Sequence, residues 1–222
     1  MSSKIVVVST YNKTYEDIFK LIYPHNKKYF DKYNIEYNPI LIDCEDGPVK
    51  NSYMKFEIIN NLIKNRDDID YVWSLDIDVV ICNFDIDLRI ITSMSQKDLL
   101  FCSVLECSPD MYWNINSGSI LIKNSTNGKM LINLYMSTAQ QDNFQINDQV
   151  LWQKLLLQNN MIRSYVSIFP ANSFNAGGKD FFLHHELSAS STLLPAQEAC
   201  KKKLSILENT IRSISCQTNK CI

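Results

Sequence analysis

Short apolar runs alternate with amphipathic stretches along most of the chain. The apolar runs are rich in β-branched and aromatic residues, which predicts strands at residues 4–9, 36–43, 71–81, 98–106, 116–123, 162–169 and 180–186. Apolar positions at helical spacing predict helices at residues 14–24, 50–65, 128–139, 147–158 and 196–214. We expect Pro24 to bend or end the first helix. This alternation predicts an α/β domain with a mixed, mostly parallel sheet and helices on both faces.

Two acidic residues interrupt the strand predicted at residues 71–81, where Asp76 and Asp78 lie between apolar neighbours. In a strand their carboxylates point to one face, with Cα atoms roughly 6.5 to 7 Å apart. A divalent cation relieves their repulsion and lost hydration, and Mg²⁺ and Mn²⁺ commonly share carboxylates with substrate phosphates. The pair therefore predicts a metal–diphosphate site. The alternative is a partly exposed strand end with two solvated carboxylates.

Two other Asp-x-Asp pairs, Asp68/Asp70 and Asp85/Asp87, lie in polar segments and are typical of loop charges or helix caps.

One lysine breaks the apolar stripe of the helix predicted at residues 50–65. At about 100° per residue, Lys55 falls near the centre of the face formed by Met54, Ile58, Ile59 and Leu62. Such a lysine either extends to solvent or meets an anion, which here would be a phosphate or a central aspartate.

Polar and aromatic residues follow the first predicted strand. Thr10, Tyr11 and Asn12 come at its carboxyl end, which is where ligands bind in open α/β sheets. We expect Tyr11 to stack on a nucleotide base, whereas Thr10 and Asn12 are equally typical of a helix cap.

Later polar residues have two interpretations each. Asp148 and Gln149 open a predicted helix, where they are either catalytic or ordinary first-turn residues. His184 and His185 are neighbours in a strand, so at most one of them faces a shared site, as a metal ligand or a core histidine.

Composition narrows the class of protein. The 222 residues suit one domain, and a net charge of −2 without a basic block argues against a nucleic-acid partner. No apolar run is long enough to span a membrane, and we expect the seven cysteines to be reduced in a cytoplasmic protein, or in host cytoplasm if the protein is viral. With five glycines and no glycine-rich phosphate loop, a bound nucleotide would depend on a metal.

The last predicted helix forms a segment of its own. Residues 196–222 carry an apolar stripe preceded by three lysines, and we divide the chain into a domain at 1–195 and this C-terminal helix and tail. We expect the stripe to pack on the domain or to link onward, and contact with an anionic membrane is a weaker alternative.

The order of these segments resembles that of A-type (GT-A) nucleotide-sugar glycosyltransferases. Within them the chain is most similar to the galactosyl-, xylosyl- and mannosyltransferase group of plants and yeast and its small viral relatives. The matching stretches are 52–55, 72–78, 116–124, 148–149 and 181–184, which together lie within residues 4–190. The chain departs from the usual His-x-x-Gly, which here reads His184-His-Glu-Leu or His185-Glu-Leu-Ser, with His184 preferred as the ligand. It also has Lys123 where an arginine is usual.

The resemblance implies a Rossmann-like GT-A fold and a retaining transfer from a UDP-sugar to an oligosaccharide or glycoprotein glycan. It implies Mn²⁺, or Mg²⁺, held by Asp76, Asp78 and His184. It further implies that Lys55 touches the phosphates or the sugar, and that the sugar and acceptor pocket is lined by Asn116, Asp148 and Gln149.

Two other functions compete with this one. The segment from Leu75 to Val80 also resembles the haloacid-dehalogenase phosphatase motif, although that motif normally lies near the N-terminus. The second alternative is a non-catalytic sugar-binding module.

Overall fold

A computed structural model describes residues 3–42, 48–103, 113–170, 173, 182–184 and 196–218, with only the backbone at 48–49, 51, 182–184, 196–197, 199 and 215–218. Its strands are β1 Ile5–Tyr11, β2 Glu36–Leu41, β3 Tyr71–Leu75, β4 Val79–Ile81, β5 Leu99–Ser103, β6 Ile115–Lys123, β7 Val166–Phe169 and β8 Phe182–His184. Its α-helices are α1 Glu16–Lys32, α2 Pro48–Asn65, α3 Arg89–Ser93, α4 Thr126–Gln141, α5 Asp148–Gln158, α6 Asn160–Ser164 and α7 Ala196–Thr218.

Six strands form one mixed sheet in the order β2-β1-β3-β6-β5-β7. The pairs β1–β2, β1–β3 and β5–β7 are parallel, and only β6 runs against its neighbours. The mostly parallel sheet expected from the sequence is therefore confirmed. Strands β4 and β8 form a separate antiparallel pair.

Alternate residues along the strands belong to two hydrophobic cores, one on each face of the sheet. On one face, Val6 and Val8 of β1 belong to a cluster that includes side chains of α2, α4, α5 and α6. On the other face, Ile5 and Val7 pack with residues of α1, α3 and β4. Because helices cover both faces of the sheet, the side chains on both faces of the central strands are buried. This explains why these strands are continuously apolar.

The C-terminal helix packs on the rest of the chain through its apolar stripe. Leu207 of α7 is buried in a third cluster with Ile18 and Ile22 of α1 and Val80 of β4. The stripe thus packs against α1 and β4. Among the described residues, no helix has both the length and the hydropathy needed to cross a bilayer.

The predicted elements differ from the structure in three places. The strand predicted at 71–81 ends at Leu75, and β4 resumes at Val79 in the other sheet. Helix α1 continues through Pro24 to Lys32, so the proline does not end it. Residues 162–164 of the strand predicted at 162–169 instead belong to α6, which Asn159 caps by accepting from two backbone N–H groups.

Candidate active site

The two acidic residues lie in a turn between β3 and β4. The Asp76 N–H donates to the Gly118 carbonyl of β6 at 2.8 Å, and the Val79 N–H donates to the Asp76 carbonyl at 3.2 Å. The strand-alternation argument for their common direction is therefore wrong, because no strand continues through them. The turn nevertheless brings both side chains to one cavity at the carboxyl edge of β1 and β3.

This cavity contains several of the predicted ligand-binding residues. Its volume is about 220 Å³, and its lining consists of Thr10, Tyr11, Asn12, Tyr15, Ile42, Ser52, Asp76, Ile77 and Asp78. Among the described residues, four predicted site residues do not line this cavity: Lys55, Asn116, Asp148 and Gln149. Of these four residues, Lys55 contacts the cavity lining through Asp76.

Lys55 connects Asp76 to Asp148. Lys55 is 4% exposed, and its Nζ lies 2.9 Å from Asp76 Oδ1 and 3.2 Å from Asp148 Oδ2. Burial alone would lower the pKa of Lys55, but the two carboxylates raise it above its ordinary value. The lysine is therefore charged, and it meets one of the anions considered from the sequence rather than extending to solvent.

The start of α5 and the start of β6 support this lysine. The Ser117 hydroxyl donates to Asp148 Oδ2 at 3.3 Å, and the Ser117 N–H donates to Gln149 Oε1 at 3.1 Å. Asn116 is buried, and its Oδ1 accepts from the Gly118 N–H at 2.8 Å. Asn147, rather than Asp148, caps α5 by accepting from the Gln149 N–H at 3.0 Å.

A second lysine pairs with Asp78. Lys203 of α7 donates to Asp78 Oδ2, and both side chains are less than 10% exposed, at 8% and 9%. Each acidic residue of the turn therefore has a lysine partner from a different helix. Burial would lower the pKa of Lys203, but Asp78 raises it.

Tyr11 and Asn12 each have a partner within the protein. The Tyr11 ring stacks on Phe19 with centroids 4.3 Å apart, which fixes the ring at the cavity wall. Asn12 Oδ1 accepts from the Tyr15 N–H at 3.2 Å and caps a short 3-10 helix, Lys13–Tyr15. Asn12 thus adopts the capping role while still lining the cavity.

A divalent cation suits the acids of the turn, although the described residues contain no cluster of three or more ligating His, Cys, Asp or Glu side chains. The Asp76 side chain is 34% exposed and faces the cavity. Two carboxylates are enough, since Mg²⁺-type sites are often completed by substrate phosphates and water. The backbone of His184 pairs with Val79, next to Asp78, whereas the His184 side chain and all of His185 lie outside the described residues.

Sequence reasoning missed Lys203, Ser117 and Tyr15. Lys203 had a readable signal, because it lies four residues before Leu207 and therefore on the apolar face of α7. Lys55 shows the same anomaly, a lysine on the apolar face of a helix. Ser117 and Tyr15 had none, because a serine in a strand and a tyrosine after a cap are ordinary.

Comparison with solved structures finds similar folds at low sequence identity. A glycosyltransferase involved in glycosylation of the major capsid of PBCV-1 is 12% identical, with a TM-score of 0.66 over 90% of this chain and 98% of that one. The galactosyltransferase LgtC is 12% identical, with a TM-score of 0.56 over 90% of this chain and 95% of that one. The 4-diphosphocytidyl-2C-methyl-D-erythritol synthase from Anaerococcus prevotii is 8% identical, with a TM-score of 0.51 over 94% and 100%.

No protein-family model matches the sequence, and no curated protein is similar to it in sequence. The structural comparison therefore establishes the fold, which is the Rossmann-like GT-A fold of glycosyltransferases. A fold of this kind supports more than one chemistry, so the activity has to be argued from the site.

Proposed function

We propose that the chain is a metal-dependent glycosyltransferase that moves a hexose or related sugar from a UDP-sugar to a glycan acceptor with retention. The observation that carries this proposal is the cavity at the carboxyl edge of β1 and β3. It brings an aromatic ring, Tyr11, together with the acid pair Asp76 and Asp78 in a GT-A sheet. One cavity thus offers a surface for a base and oxygen ligands for a cation that binds a diphosphate.

Each part of the donor has a matching group in this proposal. The base stacks on the face of Tyr11 that Phe19 leaves open, and Thr10 and Ser52 offer hydroxyls to the nucleoside. Asp76 and Asp78, with His184 as a third ligand, would hold Mn²⁺ or Mg²⁺. When bound, the cation supplies positive charge that stabilises the diphosphate leaving group.

The reaction breaks the bond between the sugar C1 and the diphosphate oxygen and joins C1 to an acceptor hydroxyl oxygen. The hydroxyl proton passes to the departing diphosphate, so attack on the leaving-group face needs no distant base. Lys55 holds the orientation of Asp76, and Asp148 holds Lys55. The sugar and the acceptor extend from the cavity past Asp76 toward Asp148, Gln149 and Asn116, and Asp148 and Gln149 stabilise the cation-like transition state of the sugar.

A thermal-shift panel of nucleotide-sugars with and without Mn²⁺ tests the proposal. A donor at about 100 times its Kd stabilises the protein by about 2.7 kcal/mol, which is roughly 5–10 °C for a chain of this size. We expect one UDP-sugar to give a Mn²⁺-dependent shift and to release UDP slowly in its presence. Asp76→Asn should abolish both effects, whereas Asp85→Asn, at a carboxylate whose side chain is 93% exposed, should change neither.

Two alternatives predict different results. A phosphatase would release phosphate from a simple phosphomonoester without nucleotide, but the similar folds include glycosyltransferases and the acids follow the third strand, so it is not favoured. A sugar-binding module would bind without cleaving the donor. Because a diphosphocytidyl synthase shares the fold, the panel should include CTP, and a shift with CTP alone would contradict the proposal.

A further inference from the structure

The two acids of the turn are not equivalent. The Asp76 side chain is 34% exposed, and its partner Lys55 also contacts Asp148. The Asp78 side chain is only 9% exposed, and its Oδ2 is in contact with the Lys203 ammonium. One carboxylate is thus open to the cavity, while the other is covered by a cation belonging to the protein.

The position of Lys203 is fixed by the packing of α7. The apolar face of this helix includes Leu207, which is fully buried against Ile18 and Ile22 of α1, and partly buried Leu204. Lys203 precedes Leu207 by one helical turn, so the same packing directs its side chain at the β3–β4 turn. Lys201 and Lys202 are exposed, so the basic segment contributes one buried cation.

Because of the charges around the turn, Lys203 and a divalent cation would compete for the Asp78 carboxylate. Asp76, Asp78 and Asp148 carry three negative charges, and Lys55 and Lys203 carry two positive ones. A divalent cation bound by both acids of the turn would lie beside the Lys203 ammonium on the same carboxylate. Two positive charges bound to one carboxylate repel each other strongly in a site with little water.

We propose that Lys203 is the resident counter-cation of Asp78 and that a divalent ion must displace it, so that α7 sets the metal affinity of the site. This inference rests on the proposed function for the identity of the cation. It makes Lys203 a positioning residue: it acts on the metal through Asp78. In the absence of metal the ammonium keeps the two acids of the turn from repelling each other.

Metal titration of matched variants tests this competition. Lys203→Met removes the buried ammonium while keeping an unbranched side chain, and Lys202→Met is the matched exposed control on the same helix. We expect Lys203→Met to lower the Kd for Mn²⁺, measured by calorimetry on metal-free protein, by about tenfold or more, which is about 1.4 kcal/mol. Lys202→Met should bind like wild type. Equal affinities in the three proteins, weaker binding by Lys203→Met, or no binding by wild type would overturn the inference.

A footprint on the wild-type chain keeps the test independent of how well Lys203→Met folds. An amine-reactive ester followed by mass spectrometry should label Lys203 poorly without metal and at least about threefold more when Mn²⁺ saturates the site, since a free ammonium regains solvent. Lys202 should be labelled equally in both conditions. Labelling of Lys203 that does not respond to Mn²⁺ would overturn the inference.

The two proposals fail in different ways. If Mn²⁺ binds and releases Lys203 while no nucleotide-sugar is bound or cleaved, the proposed function fails and the role of Lys203 stands. If a donor is cleaved while Mn²⁺ binds wild type, Lys203→Met and Lys202→Met alike, the role of Lys203 fails and the glycosyltransferase assignment stands.

Discussion

Replacing Lys55 by methionine should destabilise the protein more than any other single lysine change on α2. The Lys55 ammonium lies 2.9 Å from Asp76 and 3.2 Å from Asp148, and the residue is 4% exposed. Methionine keeps the unbranched stem but leaves two carboxylates facing each other without their cation. Breaking a buried pair by removing one partner costs about 3–5 kcal/mol. Because Asp76 can regain water on its exposed side, we expect the lower end, about 3 kcal/mol.

Urea denaturation followed by tryptophan fluorescence measures this change. With an m value of about 3 kcal/mol/M, a loss of about 3 kcal/mol lowers the midpoint by about 1 M. Lys64→Met, at an exposed position near the end of the same helix, is the matched control and should stay within about 0.5 kcal/mol of wild type. Equal midpoints for Lys55→Met and Lys64→Met would refute the view that Lys55 neutralises a buried acid pair.

A double variant separates lost charge from lost packing. Asp148→Asn in the Lys55→Met background removes one of the two stranded negative charges while keeping the contact with Ser117. We expect it to recover about 1–2 kcal/mol relative to Lys55→Met, which is a coupling typical of residues in direct contact. If the two changes add without coupling, the cost of Lys55→Met is a packing effect.

Three further predictions concern other parts of the structure. Asp148→Asn alone should lower kcat by about tenfold or more, about 1.4 kcal/mol, with a small change in KM, because it weakens the anchor of Lys55; full transfer activity would remove the Asp148 charge from the mechanism. The imidazole of His25 donates from Nε2 to the Ile81 carbonyl at 2.8 Å, and burial lowers its pKa. The unfolded chain therefore binds the extra proton, so the free energy of unfolding, obtained from urea titrations, should fall as pH drops below about 6.5, by less than about 1.4 kcal/mol per pH unit; His25→Gln should lose that slope, and an unchanged slope would contradict this account. Gly128→Ala would place a Cβ 2.0 Å from the Lys123 carbonyl oxygen and should cost about 1–3 kcal/mol in the same titration; a neutral result would show that the turn before α4 can shift.

The fold could be predicted from sequence because its signals are local and repeated. Continuous apolar strands such as β1 and β3 alternate with amphipathic helices, and this pattern alone favours a sheet covered on both faces. The split of residues 71–81 could not be predicted, because β4 is as apolar as β3 and differs only in its partner. The pairing of β4 with β8, about 100 residues later, is a long-range contact without a local signature.

The site was predictable to the extent that its residues are chemically out of place. Asp76, Asp78 and Lys55 are charged residues among apolar ones, and each has a charged partner in the structure. Asp148 was ambiguous because an acid in the first turn of a helix has an ordinary explanation. Its Oδ2 is 3.2 Å from Lys55, a contact that joins helices α2 and α5 and that neither segment reveals alone.

The turn that carries the acids exists because β4 is drawn out of the main sheet. Buried Asn26 of α1 donates from Nδ2 to the Val79 carbonyl at 2.8 Å and accepts from the Ile81 N–H at 3.0 Å, so one amide occupies the backbone groups that a neighbouring strand would use. With β8 on its other edge, β4 has no free edge facing β1 or β6 among the described residues. The chain must therefore turn after Leu75, at the carboxyl edge of the sheet. The turn thus places Asp76 and Asp78 in the lining of the cavity, which is where the proposed cation would bind.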